Sequence, residues 1–300
     1  MKVGFIGLGA MGRPMALNLM KGGHEMAVWA RRASSAQPLL DAGARACATP
    51  ADVARHSEVV FTMVTAGQDV ETVVLGKDGI AEGAAAGSVV IDCSTIPAAT
   101  IRKVGAALRD RGVDLLDAPV SGGEPGAVAG SLSIMVGGDE AVFERMRPLL
   151  ECIGKTLVYI GEIGSGQVAK AANQLALVVT IQGIAEAMVF ARANGVAFEP
   201  VWEAMMQGLA GSKMLEIVGQ RMMRREFVMG IDASLHHKDA HIVLQTAKES
   251  CTTTPGAALA AQAFNALFSD PGTRWDSAAI LEVLERASGF PERERRDTGA

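Results

Sequence analysis

The strongest candidate for a ligand-binding segment is a glycine-rich turn, Gly7-Leu8-Gly9-Ala10-Met11-Gly12. The turn follows the apolar run Lys2–Ile6 and opens the amphipathic segment Met11–Lys21, which is the strand–turn–helix context of a dinucleotide site. There the first glycine permits the tight turn, the second lets a pyrophosphate approach, and the third lets helix and strand pack closely, while the helix N-terminus offers N–H donors. A glycine-rich turn without a ligand is the alternative, and this context disfavours it.

The end of the next apolar run, Met26–Trp29, indicates which dinucleotide would bind. NAD-binding folds usually place Asp or Glu about 20 residues past the glycines, where it binds the ribose 2′-hydroxyl. This chain has Arg31 and Arg32 there and no carboxylate. Because a guanidinium fork suits a phosphate dianion, we expect NADPH in preference to NADH, against the competing interpretation of solvated loop arginines. Met63 and Val64, at the end of the run Val59–Val64, are expected to contact the same cofactor.

A second chemical segment contains Lys170 and Asn173, three residues apart within an otherwise apolar stretch. On a helix this spacing puts the amine and the amide on one face. A lysine is costly to bury unless its charge is used, so the pair is a candidate catalytic site. A lysine whose ammonium reaches back to solvent is the alternative.

Two further loops follow apolar runs and therefore belong at the carboxyl ends of strands, where doubly wound sheets bind ligands. One is Asp92–Thr95. The other contains Ser121, Gly122 and Gly123, whose hydroxyl and backbone N–H groups could form an anion-binding nest. A simple glycine turn is the competing interpretation of the second loop.

No metal site is predicted. The four cysteines are far apart and form no CxxC pair, so they are expected to be reduced core residues. His236 and His237 are neighbours, but adjacent side chains on a helix point about 100° apart and no third ligand is close in sequence.

The order of elements predicts two domains. In residues 1–162, seven short apolar runs alternate with amphipathic segments, and their continuous hydrophobicity indicates strands covered on both faces. This pattern predicts a Rossmann-type, doubly wound α/β domain. Residues 163–290 read as helix throughout and begin with a long apolar helix that joins the domains. The charged tail, residues 291–300, is expected to be disordered.

Composition limits the classes of partner. The net charge of −5 and the lack of a basic, aromatic-rich stripe argue against nucleic acid. The uncharged run Ala171–Ala185 is 15 residues long, shorter than the roughly 20 needed to span a bilayer. A strand beginning at residue 2 leaves no room for a signal peptide, so we expect a cytoplasmic protein. The apolar helices of the second domain favour a homodimer or homotetramer.

Seven segments along the chain together carry a family resemblance. The chain resembles the β-hydroxyacid dehydrogenases from residue 1 to about 287, through an ordered set of segments: GLGAMGRPMALNLMKGGH, DCST, DAPVSGGEPGAVAGSLSIMVGG, GSGQVAKAANQ, GLAGS, HHKD and DSAAILEVLE. The resemblance implies that Lys170 is the catalytic residue and that Asn173 binds substrate. It also implies that Ser121, Gly122 and Gly123 bind the substrate carboxylate, and that Thr95 and Lys238 line the nicotinamide.

Within the family, SGGEPGA, the KxANQ form and GLAGS look most like the members that reduce 2-hydroxy-3-oxopropanoate to D-glycerate. We therefore expect an NADPH-dependent reductase of a short carboxylated aldehyde. The alternatives are oxidation of 3-hydroxyisobutyrate, reduction of another short semialdehyde such as succinic semialdehyde or glyoxylate, imine reduction, and a non-catalytic nucleotide-binding protein. Asp232 and Ser234 depart from the Arg and Asp usual in the reductases, which leaves the substrate open.

Overall fold

The computed structural model describes residues 1–228, 230–269 and 274–290. It divides into two compact units, Met1–Lys170 and Ala171–Ala300. The predicted boundary between residues 162 and 163 stays a prediction, and the predicted disordered tail lies outside the described residues. Each unit has a hydrophobic core of its own.

The first unit is built on one mixed sheet in which the strand order is β3-β2-β1-β4-β5-β6-β8-β7, with β9 paired to β8. Strands β1 to β6 are parallel, β8 is antiparallel to β6 and β7, and β9 is parallel to β8. The strands are β1 Lys2–Ile6, β2 Glu25–Trp29, β3 Arg45–Ala46, β4 Val59–Thr62, β5 Val89–Asp92, β6 Asp114–Asp117, β7 Val120–Ser121, β8 Leu132–Gly137 and β9 Gly154–Gly161.

The continuous hydrophobicity of the central strands follows from cores on both faces of the sheet. Val59 and Phe61 of β4 face one core, whereas Val60 between them faces the other. Successive side chains of a strand point to opposite faces, so a strand covered on both sides must be apolar at every position. The predicted α/β architecture is confirmed.

The helices of the first unit pack on these two faces. They are α1 Gly12–Lys21, α2 Gln37–Asp41, α3 Pro50–Arg55, α4 Gly67–Leu75, α5 Ile80–Gly83, α6 Ala98–Arg109, α7 Gly123–Ala129 and α8 Glu140–Glu151. The short helices α2, α3, α5 and α7 are too brief to show a periodic pattern, and the sequence did not predict them.

One of the seven apolar runs, Leu115–Val120, is predicted as a single strand, and this prediction is wrong in one respect, because the structure has two strands there. Pro119 lacks an N–H and interrupts the ladder between β6 and β7. The pairing with β8 nevertheless keeps its register, since Asp117 pairs with Gly137 and Val120 with Ile134.

The second unit is helical, as predicted. Its elements are α9 Ser165–Ala193, which begins in the first unit, α10 Phe198–Gln207, a π-helical turn Leu215–Gly219, α11 Gln220–Arg224, α12 Ala233–Glu249, α13 Pro255–Leu267, a 3₁₀ turn Ser277–Ala279 and α14 Ile280–Ala287.

Helix α9 is long and apolar enough, by length and composition alone, to cross a membrane. Its side chains argue for a core helix instead. Val178, Ile181 and Ile184 are buried in the core of the second unit. Helix α9 also carries the buried polar residues Lys170 and Gln174, which a lipid-facing helix would not tolerate at this density.

Candidate functional site

A cavity of about 260 Å³ opens in the first unit beyond the carboxyl ends of β1, β2 and β4. Its lining is Ile6, Gly7, Leu8, Gly9, Trp29, Ala30, Arg31, Arg32, Ser35, Met63, Val64, Thr65, Asp69, Thr72 and Val73. The structure therefore brings together seven of the residues predicted to bind the cofactor. Ala10, Met11 and Gly12 follow them in the chain, in the turn that opens α1.

The geometry explains the presence of glycine at each of three positions in the turn, for a different reason each time. Gly7 has φ +98°, in the left-handed region, and a Cβ there would overlap the Met63 carbonyl oxygen. A Cβ on Gly12 would overlap the Gly7 carbonyl oxygen. At Gly9, by contrast, no atom of the described chain lies within 4 Å of the Cβ position. The backbone at Gly9 is thus open to a ligand, and the turn fits a dinucleotide pyrophosphate.

The charge at the end of β2 is positive. Arg31 and Arg32 are both exposed and line the cavity together with Ser35, which the sequence analysis missed. The lining also contains one carboxylate, that of Asp69 on α4. It accepts a hydrogen bond from the Ala66 backbone N–H (3.1 Å), so its role includes capping α4.

A buried network of hydrogen bonds fixes the loop after β4. The hydroxyls of Thr62 and Ser94 both donate to Asp92 Oδ1, at 2.6 and 2.7 Å, and Ser94 Oγ accepts from the Val64 backbone N–H (3.0 Å). The loop that carries Met63 and Val64 is therefore held by the loop after β5. The motif DCST in the sequence pointed to the loop after β5, but not to the hydrogen bonds that the Thr62 and Ser94 hydroxyls donate to Asp92.

Gln167, on the first turn of α9, anchors the same loop after β5. Its Nε2 donates to the Ser94 carbonyl (2.8 Å), and its Oε1 accepts from the Ile96 N–H (3.1 Å). These two bonds bracket Thr95, which is half-buried. Gln167 lies one helical turn before Lys170, so it ties the loop of Thr95 to the helix that carries the lysine. No feature of the sequence beyond its place in GSGQVAK indicated this role.

Asp117, at the end of β6, holds the N-terminus of α9. Its carboxylate oxygens accept from the backbone N–H groups of Gly164 (2.7 Å) and Gln167 (2.8 Å). Burial of this carboxyl group raises its pKa to about 6, and the two N–H donors oppose part of that rise. Capping at a helix N-terminus gives the carboxylate favourable partners in its ionised form.

Lys170 is only 7% exposed, so nearly all of its side chain is buried. Asn173 follows three residues later on the same helix and is half-buried. A buried amine next to an amide offers N–H donors to a substrate oxygen. The role of both residues in catalysis stays a prediction.

Asn173 and Lys238 belong to one chain of polar contacts in the second unit. Asn173 Nδ2 donates to Gln174 Oε1 (2.9 Å), Gln174 Nε2 donates to Asp239 Oδ2 (2.5 Å), and Lys238 Nζ lies 3.0 Å from Asp239 Oδ1. Gln174 and Asp239 are both buried. The sequence pointed to Asn173 and Lys238 at the two ends of this chain but not to Gln174 and Asp239, which join them, although KAANQ and HHKD contain all four residues.

Ser121, Gly122 and Gly123 lie where β7 ends and the short helix α7 begins. Gly122 has φ +133° and Gly123 φ +62°, conformations that favour glycine. The predicted nest is thus part of a helix N-terminus, and both glycines are exposed. Their assignment to a substrate carboxylate stays a prediction.

The neighbouring histidines have different partners. His236 is buried with Nδ1 2.7 Å from Ser277 Oγ, while His237 Nε2 lies 2.8 Å from Asn265 Oδ1. Among the described residues, no three His, Cys, Asp or Glu side chains form a group that could hold a metal ion.

Comparison with known proteins assigns this architecture to a family. A family model described as the NAD binding domain of 6-phosphogluconate dehydrogenase matches residues 2–161. A second, described as "NAD-binding of NADP-dependent 3-hydroxyisobutyrate dehydrogenase", matches residues 164–284.

Individual relatives match nearly the whole chain. 2-Hydroxy-3-oxopropionate reductase of Escherichia coli is 41% identical, over 95% of this chain and 97% of its own. NAD-dependent L-serine dehydrogenase of Pseudomonas aeruginosa is 37% identical, over 96% and 99%. A solved structure of Mycobacterium tuberculosis 3-hydroxyisobutyrate dehydrogenase with L-serine is 29% identical, with a TM-score of 0.87 over 94% of this chain and 98% of that one. The chain therefore belongs to the 3-hydroxyisobutyrate dehydrogenase-like family of β-hydroxyacid dehydrogenases, NAD(P)-dependent oxidoreductases that act on CH–OH groups.

Proposed function

We propose that this protein uses NADPH to reduce 2-hydroxy-3-oxopropanoate, a three-carbon aldehyde with a carboxylate, to D-glycerate. The observation that carries the proposal is the burial of Lys170, one turn after the Gln167 anchor on α9. The 41% identity to a reductase of this substrate supports the choice among hydroxy acids.

The preference for NADPH rests on the cavity beyond β2. Arg31 and Arg32 would bind the 2′-phosphate that distinguishes NADPH from NADH, and Ser35 would add a hydroxyl donor. The open backbone at Gly9 and the N–H groups of the first turn of α1 would hold the pyrophosphate. When bound, the reduced nicotinamide supplies a hydride.

The residues of the chain would supply the proton and hold the substrate. Lysine is an ammonium at neutral pH, and Lys170 would donate one proton to the aldehyde oxygen as the carbonyl carbon becomes a CH–OH group. The lysine is left as a neutral amine, which solvent reprotonates. Before that transfer, the positive charge stabilises the negative charge developing on the oxygen, usually the larger contribution.

Positioning would come from donors that surround the substrate carboxylate. Ser121 Oγ and the N–H groups of Gly122 and Gly123 are suited to an anion, and the Asn173 amide would orient the rest of the molecule. Lys238 stays a predicted cofactor contact, and its ammonium forms an ion pair with Asp239.

Two residues weaken the match to the reductases. Asp232 caps α12 by accepting the Ser234 N–H (2.9 Å), and its other oxygen lies 3.6 Å from Arg274. The family resemblance implies Arg and Asp at the positions of Asp232 and Ser234 in a reductase of this substrate. Oxidation of 3-hydroxyisobutyrate with NAD is therefore the main alternative.

The test is a set of carbonyl substrates assayed with purified protein and NADPH. It comprises 2-hydroxy-3-oxopropanoate, methylmalonate semialdehyde, succinic semialdehyde, glyoxylate and propanal. We expect the highest kcat/KM for 2-hydroxy-3-oxopropanoate, D-glycerate as its product by chiral chromatography, and poor turnover of propanal, which lacks a carboxylate. Preference for methylmalonate semialdehyde would assign the 3-hydroxyisobutyrate reaction instead. If none of these substrates were turned over, the result would favour a non-catalytic, nucleotide-binding protein.

A further inference from the structure

Three side chains meet on the surface where α12 packs against α13 in the second unit: His237, His241 and Asn265. The Nε2 atoms of the two histidines are 3.2 Å apart, and Asn265 Oδ1 lies 2.8 Å from His237 Nε2 and 3.1 Å from His241 Nε2. His241 is exposed and the other two are half-buried. Three potential electron-pair donors thus form a nearly equilateral triangle that solvent can reach.

Hydrogen bonds alone cannot satisfy this triangle. Each of its three edges needs a hydrogen, but an imidazole Nε2 carries at most one and the amide oxygen carries none. The two histidines therefore supply at most two hydrogens for three contacts, whichever tautomers they adopt. One edge always brings together two lone pairs or two N–H groups, whereas a cation just above the plane of the triangle could bond to all three atoms.

The distances match those of a metal chelate. With metal–ligand bonds of about 2.0–2.1 Å, the three edges of 2.8, 3.1 and 3.2 Å correspond to angles of about 85°, 97° and 103° at the ion, which suit three neighbouring positions around a metal that completes its coordination with water. The imidazole ring centroids are 4.6 Å apart and their planes are 82° from parallel, so the two rings do not stack on each other. Their spacing of four residues places both on one helical face, as in known pairs of zinc-binding histidines.

We propose that His237, His241 and Asn265 form a binding site for a divalent transition cation of the Zn²⁺ type, with water at the remaining positions. Imidazole ligands select Zn²⁺, Ni²⁺ and Cu²⁺ over Mg²⁺ and Ca²⁺. The ion would join α12 to α13 and thereby stabilise the helix that carries Lys238. The adjacent pair His236–His237 in the sequence could not indicate this site. His236 bonds to Ser277, and the partner of His237 is His241, four residues further along the helix.

Isothermal titration of the untagged, full-length protein with ZnCl₂ tests the proposal, with His241→Ala as the main variant because His241 is the exposed member of the triangle. His56→Ala is the matched control, a half-buried histidine of the first unit. We expect one equivalent with a Kd on the order of 10 μM, weaker than closed four-ligand sites. Affinity should fall at least about tenfold in His241→Ala and stay unchanged in His56→Ala.

Two further readouts separate the site from nonspecific binding. Co²⁺ should give visible d–d absorption in the wild type that His241→Ala lacks, and MgCl₂ should give no heat. Zn²⁺ should raise the Tm of the wild type more than that of His241→Ala, since binding to the folded state alone stabilises it. Equal Zn²⁺ affinity in the wild type and His241→Ala, or no binding by the wild type up to millimolar Zn²⁺, would overturn the proposal.

Discussion

At the scale of single residues, the two kinds of cation in the candidate site have opposite environments. Lys170 is 7% exposed, whereas Arg31 and Arg32 are exposed at the rim of the cavity. Burying an ammonium raises the free energy of the folded protein unless nearby groups or the substrate stabilise the charge. An exposed guanidinium stays hydrated until a ligand binds, so it has little such penalty. This difference suits a proton donor on the one hand and a phosphate-binding pair on the other.

The cofactor preference can be tested at Arg31. Arg31→Ala should raise the KM for NADPH by roughly 10- to 100-fold, the loss expected for a hydrogen bond to a charged group, because only NADPH has the 2′-phosphate. The KM for NADH should hardly change. Arg109→Ala, which removes an exposed arginine outside the cavity lining, is the control. Steady-state kinetics with both cofactors measures the effect, and an equal rise for NADH would contradict the assignment.

The carboxylate loop can be tested at Ser121. Ser121→Ala removes one donor and leaves the N–H groups of Gly122 and Gly123, so the KM for a carboxylated aldehyde should rise by roughly tenfold with kcat largely kept. Ser131→Ala, at an exposed position ten residues later, is the control. If propanal were reduced as efficiently as carboxylated aldehydes, the anion-binding role of this loop would be wrong.

At the scale of elements, the start of α9 is positioned by Asp117 and Gln167, both within the first unit. The pKa of Asp117 in the folded state, about 6, lies above its ordinary value of 3.8. Between these values the folded protein keeps a proton that the unfolded chain has lost. The stability contributed by this group is therefore full below pH 4 and lost as the pH rises to 6.

Asp117→Asn removes this titration. As the pH rises from 4 to 7, the free energy of unfolding of the wild type should fall by on the order of 3 kcal/mol more than that of Asp117→Asn. The absolute stability of the variant should be lower at every pH, because an amide cannot accept both backbone N–H groups with its single oxygen. Urea unfolding at several pH values measures the slope, with Asp110→Asn as an exposed control. Parallel profiles for the wild type and Asp117→Asn would contradict the assignment.

The sequence predicted the long elements of the fold and missed the short ones for a physical reason. Continuous apolar runs identify strands covered on both faces, and β4 and β5 are buried at every position. Helices such as α7, with seven residues, contain too few turns for a hydrophobic period to appear. The break at Pro119 was visible in the sequence and should have divided the predicted strand.

The candidate site was predictable to a similar degree. Glycine spacing, the arginine pair and an isolated lysine are local signals, and they led to the cavity residues and to Lys170. The roles of Gln167, Gln174 and Asp239 depend on contacts between elements distant in sequence, such as the bond from Gln174 to Asp239. No spacing rule on one sequence reveals such pairs.

At the scale of the whole molecule, the second unit exposes large apolar side chains, including Phe190 (72%) and Leu259 (58%). Exposed apolar side chains of this size on the helices favour association between copies of the chain. We expect light scattering after size exclusion to give two or four chain masses. Phe190→Asp should shift the mass toward the monomer, whereas Val128→Asp, at an exposed apolar position of the first unit, should not. A wild-type monomer at micromolar concentration would contradict this expectation.

The proposed role of Lys170 as the proton donor of an NADPH-dependent reductase can be tested by measuring the kcat of Lys170→Ala with 2-hydroxy-3-oxopropanoate. Losing a positioned proton donor should lower kcat by roughly 10²–10⁴-fold, with the Kd for NADPH nearly unchanged by fluorescence titration. Lys170→Arg should not restore turnover, because guanidinium keeps the charge but is a far weaker acid of different shape. Near-normal kcat in Lys170→Ala, with the circular dichroism spectrum intact, would contradict the claim and make Lys238 the next residue to test.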